Sequence, residues 1–237
     1  MQIIELGNIR IEVEQKDIKN IHLSVYPPNG VVHISAPNKV DLDTIRVFAL
    51  NKLKWIRKQQ AIFKSQDRET PREYLTKESH YFFGKRYLLK VIEHNHPPKV
   101  ILKHSDIELY IRPNTPEIKK EKIIEAWYRN ELKAILPKLI AKWEKIVGVQ
   151  SNEFDIKKMK TKWGTCNTEA KRIWLNLELA KKPVECIEFI IVHELVHLLE
   201  RSHNDKFVSY MNKFMPKWRM HREELNRIPF RHIDWKY

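Results

Sequence analysis

The segment "IVHELVHLLERSHNDKF", residues 191–207, places three histidines and a glutamate in or beside an apolar run. His193 and His197 lie four residues apart, so on an α-helix both imidazoles project from one face, about 6 Å apart. That separation lets both rings bind one zinc ion at ~2.0–2.1 Å. Glu194 lies about 100° around the helix from His193, beside such an ion rather than on it. The pattern predicts a zinc site in which Glu194 takes a proton from a zinc-bound water.

A third ligand is needed, because catalytic zinc takes three protein ligands and keeps one position open. His203 follows His197 by six residues, which is about 240° around a continuing helix and on its wrong side. We therefore expect the helix to end near Glu200 and the chain to turn back. Ser202 or Asn204 can cap a second helix there. The spacing thus predicts that His203 returns to the ion at the junction of two helices.

Two other interpretations of these histidines remain open. In one they are core residues without a metal, but each buried imidazole or carboxylate left without a partner would cost about 1–3 kcal/mol. In the other the zinc is structural and has a fourth protein ligand. Cys166 and Cys186 are the only cysteines of the chain, and either would serve only if folding brought it close. The glutamate in the motif favours a catalytic site, since a structural site has no use for an acid there.

The cysteines also bear on the compartment. Two residues twenty positions apart form neither a disulfide framework nor a CxxC zinc motif, so we expect free thiols in a reducing cytoplasm. The first residues alternate and carry acids, unlike a signal peptide. No apolar run approaches the ~20 residues that span a bilayer. The sequence predicts a soluble, cytoplasmic protein without a membrane partner.

The net charge of +14, from 44 Lys and Arg against 30 Asp and Glu, is strongly basic. A basic surface attracts polyanions, and nucleic acid is the first candidate. The basic residues are scattered through the chain rather than gathered in a tail. DNA or another nucleic acid is therefore a possible partner, and a surface simply filled with lysine is the alternative.

Residues 1–115 read as a strand-rich region with one helix. Apolar residues alternate between residues 9 and 36, and Asp41 or Asp43 can cap a helix that follows. The polar stretch 64–73 resembles an internal linker. Beyond it, "HYFFGKRYLLKVIEH" and "KVILKHSDIELYIRP" predict four strands in two hairpins.

Residues 116–237 read as mainly helical with a small sheet. A long helix follows Pro116, with a break or kink expected at Pro137. Two strand-like segments, "DIKKMKTKWGTCN" and "RIWLNLEL", precede a helix that starts at Pro183 and carries the His193 motif. Further helices are expected at about 203–215 and 217–227. The chain is therefore predicted to be α+β.

Several of these segments resemble the YgjP-like metallopeptidase family, which is akin to the SprT-like proteases. The resemblance lies in "KWGTC" at 162–166, "RIWLNLEL", "VECIEFIIVHELVHLLERSHNDKF" and "MPKWR" at 215–219. It implies a zincin-like catalytic domain at 116–237, with zinc held by His193, His197 and His203 and with Glu194 as the base. Peptide bonds in a protein or peptide would be the substrate. Ser202 departs from the asparagine that is common before the third histidine in relatives.

The resemblance leaves three alternative functions. A zinc metallopeptidase is the first, and a nucleic-acid-associated module in which cleavage is subordinate to docking is the second, since SprT-like proteases act on proteins attached to DNA. A zinc-stabilised scaffold without turnover is the third.

Zincins lay the substrate along an exposed sheet edge, and either strand-like segment near the motif is a candidate for that edge. Gly164 is expected to mark a close backbone approach near the site. Tyr210 is a candidate oxyanion donor, with core packing as the stronger interpretation. His94 and His96 are expected to lie in a loop.

Overall fold

The structure is a computed structural model that describes residues 2–26, 30–65, 72–159 and 162–227. The chain forms two compact units, one within residues 1–68 and the other within residues 69–228. The described residues contain six α-helices, eleven strands and one 3₁₀ helix. The predicted α+β class is confirmed.

The first unit is a four-stranded sheet with two helices. Its elements are β1 (Gln2–Leu6), β2 (Ile9–Lys16), β3 (His22–Tyr26), β4 (Val31–Pro37), α1 (Leu42–Asn51) and α2 (Leu53–Ser65). The strand order is β1-β2-β4-β3, and β2 runs parallel to β4. Alternation buries one side chain in two, as the sequence predicted, and Asp41 caps α1 by accepting a hydrogen bond from the Thr44 amide at 2.7 Å. The single predicted helix is two helices, because the chain turns at Lys52, whose amide bonds back to the Ala49 carbonyl.

The second unit begins with the predicted hairpins. Its first sheet contains β5 (Ser79–Phe82), β6 (Lys85–Glu93), β7 (Lys99–Leu102) and β8 (Asp106–Ile111). The pairs β5–β6 and β7–β8 are antiparallel, and β6 joins them by pairing parallel to β8. Buried Leu89, Ile107 and Leu109 form its core side.

A 31-residue helix, α3 (Glu117–Val147), follows this sheet. It continues through Pro137, so the predicted break does not occur. Buried residues on both sides of the proline, including Leu132, Leu136 and Ile140, keep this stretch packed. The helix ends at Gly148, whose φ of 77° is the left-handed conformation of a helix C-cap.

The remaining elements surround the histidine motif. They are β9 (Glu153–Lys157), β10 (Gly164–Asn167), β11 (Arg172–Asn176), the 3₁₀ helix (Leu177–Lys181), α4 (Val184–Val196), α5 (Asp205–Phe214) and α6 (Trp218–Arg227). The sheet order is β10-β11-β9, so β11 is the central strand. The predicted strand "RIWLNLEL" stops at Asn176, because that side chain accepts a hydrogen bond from the Glu178 amide and starts the 3₁₀ turn.

The predicted domain boundary between residues 115 and 116 stays a prediction. The second compact unit contains both β5–β8 and α3, on either side of that boundary. Most of the predicted linker, 64–73, lies outside the described residues. Among those that are described, no helix is long and apolar enough to cross a membrane.

Candidate metal centre

Helix α4 carries the first two histidines of the motif. Pro183 precedes its first residue. Glu185 lies in the first turn, where a negative charge interacts favourably with the helix dipole and stabilises the helix. The helix is apolar on almost all sides and its second half is buried. His193 and Glu194 are each only 2% exposed. Such buried polar groups need partners.

The chain turns back after α4, as the spacing predicted. The helix ends at Val196, and a tighter turn follows, in which the Leu199 amide bonds to the Val196 carbonyl three residues earlier at 2.9 Å. Of the two cap candidates, Asn204 is correct: its side chain accepts a hydrogen bond from the Phe207 amide at 3.0 Å. Helix α5 therefore begins at Asp205, directly after His203 and its cap.

The three predicted ligands meet at this junction. The Nε2 atom of His193 lies 3.0 Å from Nε2 of His203 and 3.2 Å from Nε2 of His197. All three ligand atoms lie within 4.8 Å of one another. In the part of the chain that the structure describes, this is the one group of three or more His, Cys, Asp or Glu residues placed to hold a metal.

The protonation of the rings fits metal binding. Nδ1 of His197 donates to the Glu200 carbonyl at 3.2 Å, which leaves its Nε2 lone pair directed at the cluster. Burial lowers the pKa of His193 well below its usual value and also lowers the pKa of His197 and His203. The neutral imidazole is the form that binds a metal.

The spacing of the nitrogens also fits an ion. Tetrahedral zinc at ~2.0–2.1 Å from each nitrogen holds neighbouring nitrogens about 3.3–3.4 Å apart. The observed separations of 3.0 and 3.2 Å are close to that value. One cation would satisfy lone pairs that otherwise face one another.

Phe207, which the sequence analysis missed, packs against the whole triad. Its ring centroid is 4.9 Å from that of His193, 4.8 Å from His197 and 4.7 Å from His203. It lies four residues after His203, but His203 precedes the helix, so the i, i+4 rule for one helix face gave no signal for this contact. Arg222 on α6 was also missed, and its charge contributes to the lowered pKa of His193 and His203.

Glu194 lies against the backbone of β10. A Cβ atom at Gly164 would be 2.5 Å from Oε1 of Glu194 and 2.8 Å from its Cγ. The predicted close backbone approach at Gly164 is confirmed, and only glycine leaves room for the carboxylate there. Burial raises the pKa of Glu194 to about 8, while the charge of Lys162 acts in the opposite direction.

The sheet order distinguishes the two candidate edges. Strand β11 pairs on both sides, with β10 and with β9, so its segment "RIWLNLEL" is not an edge. Strand β10 is the edge that lies against Glu194. Asn176 holds the backbone that precedes β10 in the chain. Its buried Nδ2 donates to the carbonyls of Met159 at 3.0 Å and Lys162 at 2.7 Å.

None of the remaining candidates belongs to the group of ligand atoms formed by the three histidines. Neither cysteine belongs to it, and burial raises the pKa of both Cys166 and Cys186 to about 12. The Tyr210 ring stacks on Phe214 at an interplanar angle of 15°, which supports its packing interpretation. The backbone amide of His96 donates to Nδ1 of His94 at 3.1 Å within the loop between β6 and β7, as expected.

The chain is similar to known proteins at two levels. Residues 19–228 match the family model described as YgjP-like, metallopeptidase domain. A crystal structure of the metallopeptidase zymogen abylysin of Pyrococcus abyssi is similar at a TM-score of 0.36 and 20% identity, covering 38% of this chain and 90% of that chain. No curated protein matches the chain. The family match includes all three histidines and Glu194.

Proposed function

Because the chain belongs to the YgjP-like metallopeptidase family, we propose that it is a zinc-dependent peptidase that hydrolyses peptide bonds in protein or peptide substrates. The observation that supports this most directly is the meeting of three Nε2 atoms at the end of the helix that also carries the buried carboxylate of Glu194. A scaffold without turnover would need the histidines but not the glutamate.

His193, His197 and His203 would hold the zinc through their Nε2 atoms. Three nitrogen donors with one position left over are the ligand set of catalytic zinc sites. When bound, zinc supplies a Lewis acid that polarises the scissile carbonyl and lowers the pKa of water toward ~7. The hydrogen bond from His197 Nδ1 to Glu200 holds that ring in the required tautomer.

Glu194 is the proposed general base. Its carboxylate takes a proton from the attacking water and later gives it to the nitrogen of the leaving amine. Burial raises the pKa of this carboxyl to about 8, and a zinc ion held by the three histidines would favour its charged form. The backbone at Gly164 limits where the carboxylate can lie, so the base is positioned before substrate binds.

The exposed edge of β10 is the proposed substrate-binding strand. An extended peptide can add to a sheet edge through main-chain hydrogen bonds. Because Gly164 begins this strand and contacts Glu194, a peptide paired with β10 passes directly beside the base. The site therefore suits an unfolded or extended segment of a protein.

Nucleic acid is a second candidate partner, favoured by the net charge of +14. A cytoplasmic protease docked on DNA would combine both functions. Phosphate contacts predict DNA binding that weakens steeply with salt. DNA binding that is absent at low salt, or insensitive to salt, would leave the charge as surface solvation.

Cleavage of a quenched fluorescent peptide library tests the proposed activity. The zinc-loaded protein is expected to cleave, chelation to abolish cleavage, and added zinc to restore it. Glu194→Gln should bind the same zinc and lose about 10²- to 10⁴-fold in rate, which is the usual contribution of a general base. Equal rates for the parent and Glu194→Gln would show that the assigned base is wrong.

A further inference from the structure

Lys162 lies two residues before Gly164, where the chain enters the edge strand β10. Its carbonyl oxygen is held by Asn176 Nδ2 at 2.7 Å, so the backbone at this position is fixed. The side chain is exposed. Among the residues that the structure describes, none forms a hydrogen bond or ion pair with its ammonium group. The backbone of Lys162 is therefore fixed, and its exposed ammonium group is available to bind a ligand.

Other lysines of this region are already engaged. Lys158 pairs with two glutamates of α3, Glu121 and Glu125. The ammonium group of Lys157 lies 3.5 Å from the centroid of the Trp174 ring. Lys181 pairs with a glutamate at 2.6 Å in the adjoining 3₁₀ helix. Lys162 differs from these three lysines in having no such partner among the residues that the structure describes.

The position of Lys162 relative to the base is informative. A Cβ atom at Gly164 would be 2.5 Å from Oε1 of Glu194, so Lys162 lies two residues from the backbone that contacts the base. Strand β10 begins at Gly164, and two residues of chain span at most about 7 Å, so the Lys162 backbone lies within that distance of Gly164. A peptide that pairs with β10 and continues past Gly164 would therefore come within reach of the Lys162 side chain about two positions from the residue beside Gly164.

We propose that Lys162 is a specificity-determining residue that selects substrates with Asp or Glu within about two residues of the scissile bond. A carboxylate at that position would pair with the unengaged ammonium group, while a lysine or arginine would be repelled. The proposal rests on the proposed function for its substrate class. Peptide binding tests it separately from catalysis.

The test uses matched peptides that carry Glu, Gln or Lys on either side of one cleavable bond. Cleavage is measured with the zinc-loaded parent, and binding with zinc-loaded Glu194→Gln by fluorescence anisotropy. We expect the Glu peptide to be cleaved faster and bound more tightly than the Lys peptide, by about 3- to 10-fold in each case. This is the range expected for one exposed charge pair plus the matching repulsion. Lys162→Glu should reverse this order, and Lys162→Gln should remove it.

Lys157→Glu is the matched control, because it makes the same charge change five residues away at a lysine already placed over Trp174. The preference should survive this control. Equal effects of Lys162→Glu and Lys157→Glu would overturn the proposal, since the preference would then reflect net charge. Cleavage without any acidic preference would also overturn it and leave the peptidase intact. A Lys162-dependent binding preference without cleavage by the parent would support the proposal and contradict the peptidase.

Discussion

Two buried histidines of the second unit each have a glutamate close by in the chain, but the groups around their rings differ. His80 in β5 is 1% exposed, and its Nε2 lies 3.1 Å from Oε1 of Glu78. His193 in α4 is 2% exposed and precedes Glu194. Burial lowers the pKa of both rings, to about 2 for His80 and well below the usual value for His193.

The difference lies in what surrounds each ring. Around His80 are a carboxylate and a cation, since Nη1 of Arg72 lies 3.8 Å from the same Glu78 oxygen. The Nε2 atom of His193 instead faces two other ring nitrogens at 3.0 and 3.2 Å. Burial is common to both sites. Of the two, only the site of His193 has several ring-nitrogen lone pairs directed at one point. That arrangement, rather than burial, makes the second site a candidate metal centre.

The largest expected effect separates the two histidines by their response to zinc. A ligand at 100 times its Kd stabilises a protein by about 2.7 kcal/mol. We expect zinc to raise the free energy of unfolding of the parent and of His80→Gln by that order, but not of His203→Ala. Urea unfolding of each variant with and without zinc measures the difference, so any intrinsic destabilisation of a variant cancels. A zinc response retained by His203→Ala would remove the distinction between the sites.

The contact between Gly164 and Glu194 gives the next largest effect. Gly164→Ala would place a methyl group 2.5 Å from the Glu194 carboxylate oxygen. We expect a loss of about 1–3 kcal/mol in stability from overpacking, with reduced peptide cleavage. Thr165→Ala, which alters the next residue of the strand without adding an atom, is the control. A fully stable and active Gly164→Ala would show that the carboxylate has room to move.

The pH dependence of stability should report on His80. Its ring has a pKa of about 2 in the folded chain against an ordinary value of 6.5. Between these values the unfolded chain binds a proton that the folded chain does not, so stability falls as the pH falls below 6.5. The contribution is at most about 1.4 kcal/mol per pH unit. Unfolding of the parent and His80→Gln across pH 4–7 should show a shallower slope in the variant. Identical slopes would mean that Glu78 pairs with a protonated His80.

The smallest effect concerns the cap that returns His203 to the triad. Asn204→Ala removes the acceptor of the Phe207 amide and should cost about 0.5–2 kcal/mol in thermal or urea unfolding. Asn204→Ser keeps an acceptor and should recover most of this loss. Because Phe207 contacts all three rings, we also expect weaker zinc binding in the alanine variant. If alanine and serine behave alike, the cap does not hold this junction.

The sequence was sufficient to predict the parts of the site that depend on local spacing. The i and i+4 histidines, the turn before His203 and the close approach at Gly164 all follow from helix and strand geometry. It did not distinguish β10 from β11 as the edge, because strand order depends on pairing between distant segments. Phe207 and Lys162 were not assigned roles for a similar reason. Their importance comes from what the fold places beside them.

The most direct test of the proposed metal centre is the extended X-ray absorption fine structure of zinc in the loaded protein. We expect one zinc per chain, surrounded by nitrogen or oxygen atoms at about 2.0–2.1 Å with the signature of three imidazoles. His203→Ala should lose one imidazole from that shell. A sulfur shell at about 2.3 Å would instead place Cys166 or Cys186 on the metal. That result, or a chain that binds no zinc, would contradict the central claim.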